Sequence, residues 1–138
     1  MPKNTASCLC QSVKMQANQA KTAVGACHCG MCRKVAGGPM LAVECGQDVQ
    51  ISGQEHVGIY NSSDWAERGF CKVCGSGLFY RLKESQQYYI PAGLFENQEF
   101  KFDHQVFIDD KPDYYDFANE TYNMTGQEVF EKAKSEGV

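Results

Sequence analysis

Apolar and polar residues alternate in short runs along most of the chain, and Gly, Asn, Asp and Ser separate the runs. In residues 13–17, apolar side chains occupy every second position, which is the pattern of a half-buried strand. Similar runs, rich in β-branched and aromatic residues, lie at 39–43, 49–51, 57–60, 78–82 and 88–90. Their short spacing predicts an all-β meander.

Two segments have a helical pattern instead. Residues 31–35 form a predicted short helix after a group of cysteines. Near the C-terminus, Thr125 and Glu128 stand at the spacing of a capping box. Three apolar residues then share one face of that helix: Val129, Phe130 and Ala133. Gly137 is expected to end this helix, which would then cover about residues 125–136. Together with the strand runs, the sequence predicts a mainly β fold with a short C-terminal helix.

Length and charge narrow the class of protein. A chain of 138 residues, 43% hydrophobic and 12% aromatic, predicts one packed domain over residues 1–138. Thirteen basic and seventeen acidic side chains give a net charge of −4, which disfavours binding to nucleic-acid phosphates. No apolar run approaches the roughly 18 residues of a membrane span, and the first residues lack the apolar segment of a secretory signal. We therefore expect a cytoplasmic protein without a membrane or nucleic-acid partner.

The cysteines carry the strongest chemical signal. Eight cysteines make up about 6% of the chain, below the roughly 8–10% of disulfide scaffolds. Seven of them form three close groups, namely Cys8 and Cys10, then Cys27, Cys29 and Cys32, then Cys71 and Cys74. In a reducing compartment such clusters favour metal binding or catalysis over an all-disulfide arrangement.

The two outer pairs predict a closed zinc site. Structural zinc is usually held by four ligands, with thiolates at about 2.3 Å. Cys8 and Cys10 share one face of an extended chain, and the two-residue spacer between Cys71 and Cys74 lets the backbone curl around a metal. Gly75 can take the positive φ that this turn requires. The alternatives are four core cysteines or a redox Cys-x-x-Cys, which would prefer a βαβ context that is absent.

The middle group predicts an open zinc site. Cys27, Cys29 and Cys32 give three protein ligands, which is the arrangement of a catalytic zinc with a free fourth position. The alternative is a second closed site completed by His28 or Cys45. On an extended chain, the His28 side chain points away from the metal that its neighbours bind. Cys45 follows an apolar run and suits a core position.

Charge suggests what such an open site would bind. Three thiolates and one divalent cation sum to −1, so a thiol that loses its proton on binding is a suitable fourth ligand. Arg33 and Lys34, directly after Cys32, either offset this charge and attract an anionic substrate or are solvated surface residues.

The order of the motifs resembles the glutathione-dependent formaldehyde-activating enzyme (GFA) family, whose domain is shared with centromere protein V. The likeness runs from about residue 7 to 118 and rests on four motifs. These are Cys-x-Cys at 8–10, Cys-His-Cys-x-x-Cys-Arg-Lys at 27–34, Arg-Gly-Phe-Cys-x-x-Cys-Gly-Ser-x-Leu at 68–78, and Lys-Pro-x-x-Tyr at 111–115.

This resemblance implies a zinc-bearing β-tent fold, in which two β-layers meet at an angle. It also implies a structural zinc on Cys8, Cys10, Cys71 and Cys74, and a catalytic zinc on Cys27, Cys29 and Cys32. The family's activity condenses formaldehyde with glutathione to S-hydroxymethylglutathione, which in reverse is a carbon–sulfur lyase reaction. The expected partners are therefore a small thiol such as glutathione and a small aldehyde.

The sequence alone leaves several roles unassigned. The sequence offers only candidates for a general acid, which are Tyr60, Ser62, Ser63 and His104. It assigns neither the residues that contact glutathione nor the oligomeric state. The alternative function is a non-catalytic, zinc-stabilised protein-binding module of the β-tent type, which would need the closed zinc site alone.

Overall fold

A computed structural model of the protein describes residues 4–135. The strands in this range are β1 (Thr5–Ser7), β2 (Lys14–Ala17), β3 (Ala23–Cys27), β4 (Met40–Gly46), β5 (Val49–Ser52), β6 (Val57–Tyr60), β7 (Ala66–Cys71), β8 (Gly77–Leu82), β9 (Tyr88–Pro91), β10 (Lys101–Val106) and β11 (Tyr122–Met124). The α-helices are α1 (Gly30–Ala36) and α2 (Gly126–Ser135), and 3-10 turns lie at Gln54–His56, Ala92–Leu94 and Ile108–Asp110. The protein is therefore mainly β with a short helix near its C-terminus, as predicted.

Contacts divide the chain into two compact units. The first combines the residues up to Thr22 with Val43–Glu99, and the second combines Ala23–Ala42 with the residues from Phe100 onwards. Strand β4 contributes residues to both units. None of the helices in the described range is long and apolar enough to span a membrane.

The first unit contains two groups of antiparallel strands. Strand β2 pairs with β1 on one side and with β5 on the other. Strands β6, β7, β8 and β9 pair in sequence order, so the predicted meander is confirmed over residues 57–91. The fully buried apolar side chains of this unit include Val13, Met15, Val43, Leu78 and Ile90.

The second unit departs from the prediction. Strand β10 is parallel to β3 on one side and to β11 on the other, so a meander is wrong for this part of the chain. Parallel strands are joined by long crossovers, and the local spacing of apolar runs carries no information about such connections. The register places Gln105 opposite Ala26 and Val106 opposite Cys27.

Both predicted helices are confirmed. Helix α1 covers residues 31–35 and ends where Gly37 takes the left-handed conformation, with φ of 76°. Helix α2 begins at a complete capping box, because Thr125 N–H donates to Glu128 Oε1 (2.9 Å) and Glu128 N–H donates to Thr125 Oγ1 (3.2 Å). Val129 is half-buried, whereas Phe130 is 56% exposed and meets Phe107 edge-on. The predicted stop at residue 137 lies outside the described residues.

Candidate metal centres

Four cysteine sulfurs converge in the first unit. Cys8 follows β1, Cys71 ends β7, and Cys10 and Cys74 lie in the turns after them; all four Sγ atoms are within 4.8 Å of one another. The Sγ–Sγ distance is 3.7 Å from Cys8 to Cys10 and 3.8 Å from Cys10 to Cys71. Four thiolates in a tetrahedron with bonds of 2.3 Å would stand about 3.8 Å apart. The donor set and its spacing therefore fit zinc.

Two similar turns build this cluster. Gln11 N–H donates to the Cys8 carbonyl (3.1 Å), and Gly75 N–H donates to the Cys71 carbonyl (2.8 Å). Gln11 and Gly75 both have positive φ, 66° and 81°, which curls the chain back around the sulfurs. The positive φ predicted for Gly75 is thus confirmed. The matching conformation of Gln11 was not predicted, because a glutamine gives no sequence signal for it.

Nearby hydroxyl groups favour thiolates in this cluster. Ser76 Oγ lies 3.2 Å from Cys74 Sγ and holds the pKa of Cys74 at about 5. Ser12 Oγ lies 3.2 Å from Cys10 Sγ and lowers the pKa of that thiol as well. Thiolates are the form that binds metal. The neighbouring hydroxyl groups therefore favour the metal-binding form at two of the four sulfurs, those of Cys10 and Cys74.

Three further sulfurs converge in the second unit. Cys27 ends β3, Cys29 is the N-cap residue of α1, and Cys32 lies in the first turn of that helix. Their Sγ atoms lie within 4.8 Å of one another. Cys29 Sγ accepts a hydrogen bond from Cys32 N–H at 3.4 Å, as an N-cap side chain does. In the described part of the chain, no fourth Cys, His, Asp or Glu ligand joins this group.

The three thiols differ in acidity because they share hydrogen bonds. The thiols of Cys27 and Cys32 donate to Cys29, which lowers the pKa of Cys29 well below its usual range. The contact with Cys29 raises the pKa of Cys27, and burial acts in the same direction. One thiolate is thus stabilised by its two neighbours, and a bound cation would favour ionisation of the others.

His28 stands between two of these cysteines but its ring nitrogens are already engaged. The residue is fully buried. Nδ1 lies 2.7 Å from Tyr115 Oη, and Nε2 lies 2.7 Å from Gln105 Oε1. Burial, with a smaller effect of the Lys111 charge, lowers the pKa of His28, so the ring is neutral. The alternative in which His28 completes a closed site is therefore not supported.

Cys45 is a core residue, as expected from its apolar surroundings. It belongs to the first unit, is fully buried, and its Sγ donates to the Val43 carbonyl at 3.4 Å. Burial raises the pKa of its thiol to about 12, so Cys45 is a neutral thiol at physiological pH.

A loop after β10 packs against His28. The rings of Tyr115 and His28 are stacked with centroids 5.5 Å apart, and Phe117 lies 6.1 Å from His28. Lys111 fixes the loop by donating from Nζ to the carbonyl oxygens of Tyr115 (2.5 Å) and Pro112 (3.0 Å). The sequence singled out Lys111 and Tyr115 only as a family-like tail. Their structural role, and that of Gln105, was missed because the partners are far apart in the chain.

The four candidate general acids are placed as follows. Tyr60, Ser62 and Ser63 belong to the first unit, where Tyr60 is 65% exposed and both serines bond to the backbone of Ala66. His104 belongs to the second unit, and its Nδ1 lies 2.6 Å from Asp103 Oδ1. These contacts are with Ala66 and Asp103, and they give no support for any of the four residues as the acid.

Arg33 and Lys34 lie directly after the cysteine Cys32. Arg33 Nε donates to the His28 carbonyl at 3.1 Å, which is its one side-chain hydrogen bond to the described residues. Lys34 is exposed.

Comparison with known proteins agrees with the family resemblance seen in the sequence motifs. The sequence profile of the family described as "Glutathione-dependent formaldehyde-activating enzyme" matches residues 3–110. A Schizosaccharomyces pombe protein named an uncharacterized lyase is 43% identical over 131 residues, which are 94% of this chain and 96% of that protein. A Halomonas elongata protein, named as a candidate enzyme of the same glutathione-dependent type, is 36% identical over 61 residues, 38% of this chain and 39% of that one.

One solved structure shares the fold. The crystal structure of a Rhodobacter sphaeroides protein superposes with a TM-score of 0.52 at 20% identity. The match covers 67% of this chain and 87% of that one.

Proposed function

Because the chain belongs to the glutathione-dependent formaldehyde-activating enzyme family, we propose that it is a zinc-dependent carbon–sulfur lyase. The proposed reaction forms or cleaves a thiol–aldehyde adduct such as S-hydroxymethylglutathione. The observation that supports it best is the three-sulfur cluster, which no fourth protein ligand joins among residues 4–135. A purely structural zinc site would be expected to have all four ligands.

The two clusters have different proposed roles. Cys8, Cys10, Cys71 and Cys74 would hold a structural zinc, and Cys27, Cys29 and Cys32 would hold a catalytic one. A zinc ion in the second cluster would supply the positive charge that lowers the pKa of an incoming thiol. Arg33 and Lys34 add positive charge directly after Cys32, and glutathione carries carboxylates that such charges attract.

The reaction itself is a simple addition. The sulfur of the thiol attacks the carbonyl carbon of the aldehyde, so a C–S bond forms and the π pair of the C=O bond moves to oxygen. That oxygen takes up one proton, which balances the proton released by the thiol. The chain's contribution is to hold the reactants together in a fixed orientation, which by itself can lower a barrier greatly.

Exchange NMR at equilibrium tests the proposal. The zinc-loaded protein should speed exchange between formaldehyde plus glutathione and their adduct. Cys29→Ser at the same concentration is the control, because the uncatalysed addition also proceeds in water. Equal exchange rates with wild type, Cys29→Ser and buffer would reject formaldehyde activation. A wild-type protein that carries a single zinc would instead favour the protein-binding module.

A further inference from the structure

His28 is held at four points. Its backbone N–H donates to the Val106 carbonyl (3.2 Å), and its own carbonyl accepts from Arg33 Nε (3.1 Å). Its ring nitrogens meet Tyr115 Oη and Gln105 Oε1, both at 2.7 Å. Every polar group of this fully buried residue therefore has a partner.

The hydrogen bonds on one side of the ring run in one direction. Thr121 Oγ1 donates to Asn123 Oδ1 (2.6 Å), so it accepts from Gln105 Nε2 (2.9 Å). The amide oxygen of Gln105 is then the acceptor for His28 Nε2–H. Because a neutral imidazole carries one hydrogen, Nδ1 accepts from the Tyr115 hydroxyl. The surroundings thus fix both the position and the tautomer of the ring.

We infer that His28 is a positioning residue for the three-cysteine centre. It lies directly between Cys27 and Cys29, so the bonds that hold His28 to β10 and to the Tyr115 loop also fix the backbone that carries both cysteines. The three sulfurs are then held together before a metal arrives, and less order has to be gained on binding. The inference rests on the proposed function only in that it concerns the same centre.

The test compares two matched substitutions. His28→Phe keeps a ring at the buried position and removes both nitrogens. His104→Phe does the same to a histidine of the same unit that bonds to Asp103 instead. Zinc affinity is measured by competition with a chelator, and the four-cysteine site of the same molecule serves as an internal reference. Loss of residues that orient metal ligands typically weakens binding about 10–100-fold.

We expect His28→Phe to weaken the second zinc site by about 10- to 100-fold while the first site keeps its affinity. His104→Phe should leave both affinities unchanged. A His28→Phe protein that binds the second zinc within twofold of wild type would overturn the inference. Equal weakening of both sites would overturn it too, because His28 would then act only on the stability of the fold.

Two further measurements, zinc binding by Tyr115→Phe and the ¹⁵N shifts of the His28 ring, test the role of His28 without the His28→Phe variant. If His28→Phe does not fold, Tyr115→Phe should weaken the second site alone, and an unchanged second site would overturn the inference. The ¹⁵N shifts of His28 in wild-type protein should show a hydrogen on Nε2, and a hydrogen on Nδ1 would overturn it. A protein that binds two zinc ions without accelerating exchange would reject the proposed function alone, whereas one that binds a single zinc would reject both.

Discussion

Among single residues, Tyr115 has a hydroxyl group whose contribution to stability can be tested by one substitution. It is the partner of a buried imidazole nitrogen, and its ring also stacks on His28 and lies 5.2 Å from Lys111 Nζ. Burial raises the pKa of Tyr115, so the phenol stays protonated and can donate at physiological pH. Tyr115→Phe keeps these ring contacts but leaves His28 Nδ1 without a donor.

Leaving a buried acceptor unpaired costs about 1–3 kcal/mol. We therefore expect Tyr115→Phe to lower the free energy of unfolding by about that amount, measured by urea denaturation of the zinc-loaded protein. Tyr114→Phe is the matched control, because Tyr114 is the neighbouring tyrosine and is 75% exposed. Equal stability of the two variants would show that the bond between Tyr115 and His28 contributes nothing.

Both cysteine clusters could be predicted from the sequence, because residue type and spacing indicate metal ligands even when, like Cys10 and Cys71, they are far apart in the chain. Contacts of residues without such a signal could not be predicted. The three-cysteine group converges because its members lie within one strand end and one helical turn. Gln105 reaches His28 only through the parallel register of β10 with β3. That register is set by tertiary structure, so no local pattern around Gln105 indicates its role.

At the scale of elements, the strands that could be predicted are those whose own residues alternate between apolar and polar or are rich in β-branched and aromatic side chains. The predicted runs overlap β2, β4, β5, β6, β8 and β9. Strands β1 and β11 have three residues each, too few for an alternation to be recognised. Strand β3 reads Ala-Val-Gly-Ala-Cys and is poor in β-formers. Its place in the sheet, between β10 and β4, comes from tertiary pairing and not from a pattern in its own residues.

Strand β3 contains a glycine for a steric reason. A Cβ added at Gly25 would lie 2.0 Å from His104 Nε2, because the His104 ring covers this position. We expect Gly25→Ala to lower the free energy of unfolding by about 1–3 kcal/mol, as overpacking does, measured by thermal or urea denaturation. Gly38→Ala is the control, since no atom lies within 4 Å of a Cβ there.

The double variant Gly25→Ala/His104→Ala identifies the cause of this loss. If the ring of His104 is the obstacle, its removal should restore part of the stability lost in Gly25→Ala. A double variant whose losses simply add would contradict the packing argument, because neighbouring residues in contact are expected to be non-additive.

At the scale of the whole molecule, the two cysteine clusters constrain the chain to very different extents. The four-cysteine cluster joins Cys10 to Cys71, which are 61 residues apart. The three-cysteine cluster closes a loop of only six residues, from Cys27 to Cys32. A metal that closes a long loop removes more entropy from the unfolded chain than one that closes a short loop. Metal at the first cluster should therefore contribute more to folding.

This difference predicts unequal effects of two serine substitutions. Cys71→Ser should lower the melting temperature strongly or prevent folding, because structural zinc binding contributes directly to the free energy of folding. Cys29→Ser should give a folded protein that retains one zinc, where wild type carries close to two. Circular dichroism with metal analysis of each purified protein measures both quantities. If Cys29→Ser unfolds as readily as Cys71→Ser, both clusters are structural, and the distinction between a closed and an open centre has no physical basis.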